Sequence, residues 1–360
     1  MSTVSHGYPP QKICLLRLSA LGDVCHMVPV VQTLREAWPE SEIVWVIGRA
    51  EYSLVSGLAG VRFVVYDKAS GYAGLLRVGR ELLKERFDLL LHMQVALRAS
   101  LLSLFIRAPI RLGFDRARAH DFQWLFTNTR IDPHPKAHVI EGFFDFLEAL
   151  GISERKRLWP IPIPEANQTE ANALIDEPFF ILSPCSSDRK RNWRNWTREG
   201  YARVAAHAYH AYGLRPVITG GGRPIEHDYA RAIADQGGVP VLDLVGRTGL
   251  KTLLALMKRA AFVLGPDSGP IHMAAAAGVP AVGLYAGSNP LRTGPSQSLE
   301  WTINRYPEAV RHYLHKEPDA VRWGARVREE QVMALITPEE VMAKIDALMA
   351  QKESNDDQGA

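Results

Sequence analysis

Short apolar runs alternate with segments of helical periodicity along the whole chain, and they do so in two series. KICLLRL (Lys12 to Leu18), SEIVWVIG, RFVVY and DLLLHMQ read as strands, separated by the helices VCHMVPVVQTLREAWP, a segment around Tyr52 to Leu58, and GLLRVGRELLKERF. RLWPIPIPEANQTE, Arg157 to Glu170, carries three prolines and reads as a linker. After it FFILSP, RPVITGGG, VPVLDLVG and AAFVLG repeat the pattern, with REGYARVAAHAYHAYG, EHDYARAIADQGG and LKTLLALMKRA as the helices between them. Alternation of this kind demands a parallel sheet covered on both faces. Two such series predict an α/β chain of two doubly wound, Rossmann-like domains facing a central cleft, with the loops at the carboxyl ends of both sheets turned into it. The expected boundaries are residues 1–160 and 161–335. A helix follows over 336–352, with Val341, Ile345 and Leu348 on one face to pack on one or both domains, and then a flexible tail over 353–360.

At 360 residues the chain is long enough for both cores, and its 47% apolar and 22% charged content is that of a water-soluble globular protein. A net charge of +3 is too small to argue for nucleic acid, but suits an anionic substrate or an anionic membrane surface. Cys14, Cys25 and Cys185 are few, odd in number and scattered, so neither a disulfide framework nor a zinc site is expected. No run of eighteen apolar residues occurs and the first eleven residues lack a signal-peptide core, so the expectation is a protein of the reducing cytoplasm, neither exported nor membrane-spanning.

Four loops fall at the carboxyl ends of strands. GPDSGPIHMAAAAGVPAVGLYAGSNPLRTGP, Gly265 to Pro295, joins a strand to a helix of small residues. Its exposed first N–H groups and the helix dipole suit a phosphate, with Asp267, Ser268, Gly269 and His272 at its mouth. Asp267 or Ser268 could equally cap the helix, with Pro270 in the first turn; an imidazole one turn into so thin a helix points toward a ligand. In SALGDVCH, Asp23 is either a capping residue or a general base facing the cleft. That loop has only Gly22 and no GxGxxG spacing, so a nicotinamide dinucleotide is not expected. SPCSSDRKRNWRNW offers Arg189, Lys190 and Arg191, with the Ser186 and Ser187 hydroxyls, either as a solvated basic turn or to neutralise a departing diphosphate. In TGGGRPIEHD the glycines permit close backbone approach, and Glu226 could accept from ribose hydroxyls or favour its helix dipole.

Leu97 to Arg130 holds Arg98, Arg107, Arg111, Arg116, Arg118 and Arg130 against only Asp115 and Asp121. Such a run is either a solvated face or a docking surface for phosphate and carboxylate groups. A base in the first domain and three anion-binding loops in the second describe a transferase with a nucleotide-diphosphate donor. No DxD triplet occurs to hold a divalent metal, so a helix start and Arg191 would carry the leaving-group charge.

DSGPIHMAAAAGVPAVGLYAGSNPLRTGP and LRLSALGDVCHMVPVV closely resemble the signatures of the family-nine glycosyltransferases, the ADP-heptose:lipopolysaccharide heptosyltransferases. The similarity runs from Lys12 to about Leu348, and WTINRYPEAVRHYL and RWGARV are most similar to the OpsX-type heptosyltransferase I branch. The resemblance implies a GT-B fold and metal-independent, inverting transfer of L-glycero-D-manno-heptose from ADP-heptose to Kdo of the lipopolysaccharide inner core, on Kdo-lipid A. It implies an acceptor-binding first domain and a nucleotide-sugar-binding second domain. Asp23 would be the catalytic base. Asp267, Ser268, Gly269 and His272 would hold the donor, Glu226 its ribose, and Ser187 and Arg191 its phosphates. Some relatives have Lys where Arg191 stands and Thr where Ser187 and Ser268 stand, replacements that keep charge or hydroxyl. Arg111, Arg116 and Arg118 become candidates for the acceptor's anionic groups, and the lipid acceptor implies transient contact with the cytoplasmic leaflet of the inner membrane. The alternative is a GT-B enzyme using another nucleotide sugar and envelope acceptor; a catalytically silent nucleotide-binding protein and a nucleotide-sugar epimerase share the architecture.

Overall fold

Each apolar run of the sequence is too short for a helix and too continuous for a strand with one wet face, so it must be buried on both sides. A computed structural model of the chain describes residues 9–187 and 193–359. It divides into two units, Met1–Pro162 and Ile163–Ala360. The first contains β1 (Lys12–Leu16), α1 (Leu21–Ala37), β2 (Glu42–Gly48), α2 (Arg49–Val55), β3 (Val61–Tyr66), α3 (Gly71–Leu82), β4 (Leu89–His92), α4 (Leu97–Ser103), β5 (Ile110–Gly113), β6 (Thr129–Arg130) and α5 (Val139–Glu148). Its six strands pair in parallel in the order β3-β2-β1-β4-β5-β6.

The second unit contains α6 (Glu165–Leu174), β7 (Phe179–Leu182), α7 (Arg198–Tyr212), β8 (Arg215–Ile218), α8 (Pro224–Gly237), β9 (Leu242–Asp243), α9 (Leu250–Met257), β10 (Val263–Pro266), α10 (Gly269–Ala276), β11 (Ala281–Tyr285), α11 (Pro290–Thr293), β12 (Ile303–Asn304), α12 (Tyr306–Leu314) and α13 (Pro338–Gly359). Its sheet, order β12-β11-β10-β7-β8-β9, is again parallel. Numbered within its own unit, each sheet has strand order 3-2-1-4-5-6. Each therefore reverses direction of winding once, beside β1 and β4 in the first unit and beside β7 and β10 in the second. In doubly wound sheets the crevice for a ligand opens at that reversal.

The central strands are wholly enclosed. Phe180 and Phe262 stack with centroids 4.7 Å apart, and Trp45, Tyr201 and Tyr285 are each fully buried. The final helix lays Val341, Ile345 and Leu348 against the second unit's core and closes on α7, where His207 and Tyr212 both bond Asp346, at 2.6 and 2.7 Å.

Two sequence expectations need correction. The linker read over Arg157 to Glu170 is irregular only to Pro164, which stands at the N-cap; EANQTEANAL, rich in helix formers, forms α6. VPVLDLVG is not a full strand. Only Leu242–Asp243 pair as β9, because the Asp243 side chain accepts from Val245 N at 2.9 Å and turns the chain out of the sheet.

Gly265, in β10, records how close the strands come at the reversal. A Cβ there would stand 2.6 Å from the Ser183 carbonyl oxygen, a backbone atom that cannot swing away. Gly265→Ala should therefore lower unfolding free energy by about 1–3 kcal/mol, the usual cost of overpacking, measured by urea titration.

Candidate active site

The reversal in the first sheet is sewn together by side chains. Leu18 N donates to Gln94 Oε1 at 2.6 Å, Gln94 Nε2 donates to Ser19 Oγ at 3.3 Å, and Arg17 Nη1 donates to the Met93 carbonyl at 2.6 Å. The loop after β1 is thus held to the loop after β4. It includes a cis peptide at Ser19–Ala20 and delivers Asp23 to the third position of α1.

There the carboxylate has two neighbours, both on one oxygen: Ala20 N donates to Oδ2 at 3.2 Å, and the Arg17 guanidinium pairs with the same atom. The first contact is the capping role weighed from sequence. The second was missed, although Arg17 is the only cation of the β1 run after Lys12 and lies six residues before Asp23. Arg17 is nearly buried over the Phe143 ring, 5.1 Å from its centroid, so its guanidinium is a fixed clamp. Asp23 Oδ1 has no partner among the described residues, and the side chain is 29% exposed. The arrangement orients the carboxylate while leaving one oxygen for a substrate proton.

Behind this loop stands a buried polar chain. Gln123 Nε2 donates to His92 Nδ1 at 3.1 Å and to the His92 carbonyl at 2.7 Å, and Gln123 is fully enclosed. Burial, aided by the charge of Arg111, pushes the His92 pKa down to about 3. A neutral ring that accepts at Nδ1 carries its proton on Nε2.

In the second unit the reversal collects five of the expected residues, Ser187, Asp267, Ser268, Gly269 and His272. Asp267 is 6% exposed, and its Oδ2 accepts from Arg194 Nη1 at 3.0 Å and from Ser288 Oγ at 2.8 Å. Arg194 Nη1 also donates to the Asp267 carbonyl at 2.8 Å, and its Nη2 donates to Ser187 Oγ at 3.3 Å. Loops after β7, β10 and β11 thereby share one network. Asp267 Oδ1, like Asp23 Oδ1, has no partner among the described residues.

Ser268 is the N-cap of α10 by position, yet its side chain makes no capping bond and its Oγ, buried, has no partner among the described residues. Neither Asp267 nor Ser268 caps the helix, so the start of α10 keeps its anion-attracting N–H groups and partial charge. His272 is 7% exposed, one turn further along.

The sequence reading overlooked Arg194, Ser288 and a further cationic group. Val327 N donates to the Gly287 carbonyl at 3.0 Å, which ties RWGARV beside Ser288. A Cβ at Gly324 would lie 3.3 Å from Arg292 Nε. Arg326 lies within electrostatic range of Asp267, Arg194, Arg292 and Arg328; the side chain reaches solvent, but surrounding protein removes enough water to lower its pKa, with Asp267 opposing and the other guanidinium groups adding. Asp267 thus pairs with one guanidinium group and lies within electrostatic range of a second, Arg326, which has further guanidinium groups near it. The signal was present only as scattered arginines over more than a hundred residues.

Other expected residues have internal duties. Glu226, 4% exposed, accepts from Arg223 N at 2.8 Å and from Arg223 Nη2 at 2.7 Å, serving the start of α8. Burial would raise its pKa, but the bonds from the Arg223 side chain and from the backbone at Arg223 and Gly221 hold it below the usual value. Gly222 has φ +88° and approaches Gly246 instead, where a Cβ would meet the Gly246 Cα at 3.1 Å. Arg111 is spent on the Ser103, Ile106 and Phe126 carbonyls at 2.7–2.8 Å. Arg118 pairs with Asp115 and, at 2.9 Å, with Asp145. Arg116 is exposed. Arg189, Lys190 and Arg191 lie outside the described residues.

The profile of glycosyltransferase family 9 (heptosyltransferase) matches residues 75–319. The chain belongs to this family. The glycosyltransferase is 36% identical over 341 residues to lipopolysaccharide core heptosyltransferase OpsX of Haemophilus influenzae, covering 94% of this chain and 97% of that one. Among solved structures it resembles a family 9 glycosyl transferase from Veillonella parvula, at TM-score 0.76 and 24% identity over 95% of this chain and 97% of that one. It also resembles E. coli heptosyltransferase WaaC with ADP, at TM-score 0.69 and 17% identity over 94% and 99% of the two chains. The fold of the glycosyltransferase is GT-B. Among the described residues no helix is long and apolar enough to cross a membrane.

His92 supplies a pH test of the buried chain behind Asp23. Its folded pKa lies below the unfolded value of 6.5, so the unfolded state takes up the extra proton and stability falls as pH falls from about 6.5 toward 3. The expected slope is about 1.4 kcal/mol per pH unit. His92→Gln should remove that component from the pH dependence of urea unfolding, whatever its effect at neutral pH.

Proposed function

We propose that this glycosyltransferase moves L-glycero-D-manno-heptose from ADP-heptose to a Kdo residue of the lipopolysaccharide inner core, on Kdo-lipid A, by a single inverting displacement without a metal ion. The observation that carries the donor half is the uncapped start of α10 beside Asp267, Arg194 and Arg326. The names of the relatives support the rest: a lipopolysaccharide core heptosyltransferase and a heptosyltransferase with ADP.

In this reading Asp23 takes the proton of the acceptor hydroxyl through its open Oδ1 while Arg17 holds the carboxylate in place. The acceptor oxygen attacks the anomeric carbon of heptose from the face opposite the diphosphate, the bond to the phosphate oxygen breaks, and ADP departs. Negative charge growing on that oxygen meets the α10 dipole, Arg194 and Arg326, with the Ser187 and Ser268 hydroxyls as further donors. Fixed guanidinium groups neutralise a diphosphate as a bound cation would. Arg191 is assigned the same phosphate role. Asp267, anchored through Oδ2, offers Oδ1 to a sugar hydroxyl, and His272 closes the donor side. Glu226 reaches the ribose only through lone pairs that Arg223 leaves open.

For the acceptor we retain Arg116, whose guanidinium group is not engaged by the described residues. Arg118 pairs with Asp115 next to it, while Arg111 is held elsewhere, on the Ser103, Ile106 and Phe126 carbonyls.

The deciding experiment is transfer from ADP-heptose to Kdo-lipid A, with and without phosphate on the Kdo, and with ADP, UDP and GDP as competing inhibitors. Asp23→Asn should slow acceptor-dependent ADP release by about 10²–10⁴-fold, the usual worth of a general base, with ADP affinity by calorimetry nearly unchanged. Unaltered turnover would remove Asp23 from the chemistry. Arg326→Ala should weaken ADP about tenfold, as expected for one charge-assisted phosphate contact, while AMP is affected much less; equal losses for both nucleotides would exclude a contact to the terminal phosphate.

A further inference from the structure

Large apolar side chains exposed on the described surface are concentrated in one part of the chain. Of twelve such residues, seven lie between residues 72 and 125. On α3, Tyr72 is 83% exposed and Leu76, one turn on, 45%. On α4 and the residue after it, Leu97, Leu101 and Leu104 fall at helical spacing on the face opposite buried Ala99, Leu102 and Ser103. Phe122 and Leu125 are 58% and 70% exposed. A water-facing helix normally carries its polar residues on this side, whereas α4 sets leucines there and buries Ser100 and Ser103 with Ala99 and Leu102.

The three segments are adjacent. A Cβ at Gly79 of α3 would enter the ring of Phe105, just past α4, at 2.6 Å. Arg111 links the other side: its Nη2 donates to the Ser103 carbonyl at 2.8 Å and its Nε to the Phe126 carbonyl at 2.8 Å, beside Leu125. Arg111 thus binds the end of α4 to the 122–126 segment from beneath, a duty that explains why it is spent internally.

The charge of this region is one-sided. Between Leu97 and Arg130, Asp115 is buried and neutralised by Arg118, which leaves Asp121 against the exposed Arg98, Arg107, Arg116 and Arg130. Arg77 and Arg80 add exposed cations on α3, with Glu81 the neighbouring acid. We propose that the face formed by α3, α4 and residues 122–125 of the first unit docks on an anionic lipid bilayer, its leucines and aromatics entering the headgroup boundary and its arginines pairing with lipid phosphates. The combination of apolar insertion with a basic rim is what binds helices in the plane of such an interface. A second copy of the chain fits the face less well, because a twofold contact through it would set the cationic rims against each other. The inference stands on this surface alone and does not depend on which nucleotide or sugar the second unit takes.

The test is sedimentation of the full chain with vesicles of phosphatidylglycerol mixed with phosphatidylcholine, against vesicles of phosphatidylcholine alone, at low and high salt. Wild type should partition onto the anionic vesicles and be released by salt. Leu104→Glu with Leu125→Glu should lower the partition coefficient at least about tenfold, and Arg98→Ala with Arg107→Ala about thirtyfold, about fivefold for each surface arginine removed. All four substitutions are at exposed positions, and ADP binding in the same preparations verifies that the second unit is folded. Absence of wild-type binding, equal binding to neutral vesicles at every salt concentration, or unchanged binding by both double variants would overturn the proposal. So would a wild-type dimer that the leucine variant converts to monomer.

Discussion

A parallel sheet buried on both faces must satisfy its backbone polar groups within the sheet, and only the strand ends are left to meet water or a ligand. This constraint governs both units. With the strand order used here, neighbouring crossovers leave on opposite faces beside the central strands, and the loops after those strands separate. Asp23 follows β1, while Ser187, Arg194 and Asp267 follow β7 and β10. These side chains sit where the packing has no further use for the chain.

Fixed carboxylates recur at the two reversals in the same form. Asp23 and Asp267 are each gripped by an arginine on Oδ2 and, among the described residues, have no partner at Oδ1. The grip costs desolvation of both partners and is useful only if the geometry is needed. One oxygen of each carboxylate is thereby aimed, which an isolated surface aspartate, free to rotate, would not be. The surplus of guanidinium groups around Asp267 then leaves a positive site at the start of α10, where the helix dipole has the same sign.

Arginine has a second and opposite use in this chain. Arg111 and Arg118 look in sequence like members of a basic docking run, but each is consumed by carbonyl or carboxylate partners that hold irregular backbone together. Exposed arginines of the same run remain as a rim to an apolar face. Binding surface and scaffold therefore draw on one residue type within about thirty residues, and the fork of five donors suits both tasks.

Much of this was legible in the residues alone. Alternating apolar runs and helical periods required two doubly wound sheets, and the long motifs around Asp23 and Asp267 identified the strand-to-helix turns at which a glycosyltransferase site would form. Those features are local: a strand's burial and a turn's glycines are written in adjacent residues. Sequence could not decide between capping and function at Asp23, Ser268 or Glu226, because both roles call for the same side chain at the same helix position. Only the fold showed that Ser268 leaves its helix uncapped and that Glu226 serves Arg223. Nor could it bring Arg17 to Asp23, Arg194 and Ser288 to Asp267, or Arg326 to Arg292, since partners on different loops meet only after the sheets have set the spacing of their strand ends. The sequence by itself determined the architecture and the kind of chemistry; the tertiary structure decided which oxygen is held and which is free, because hydrogen-bond partnership depends on distances between segments that no local pattern encodes.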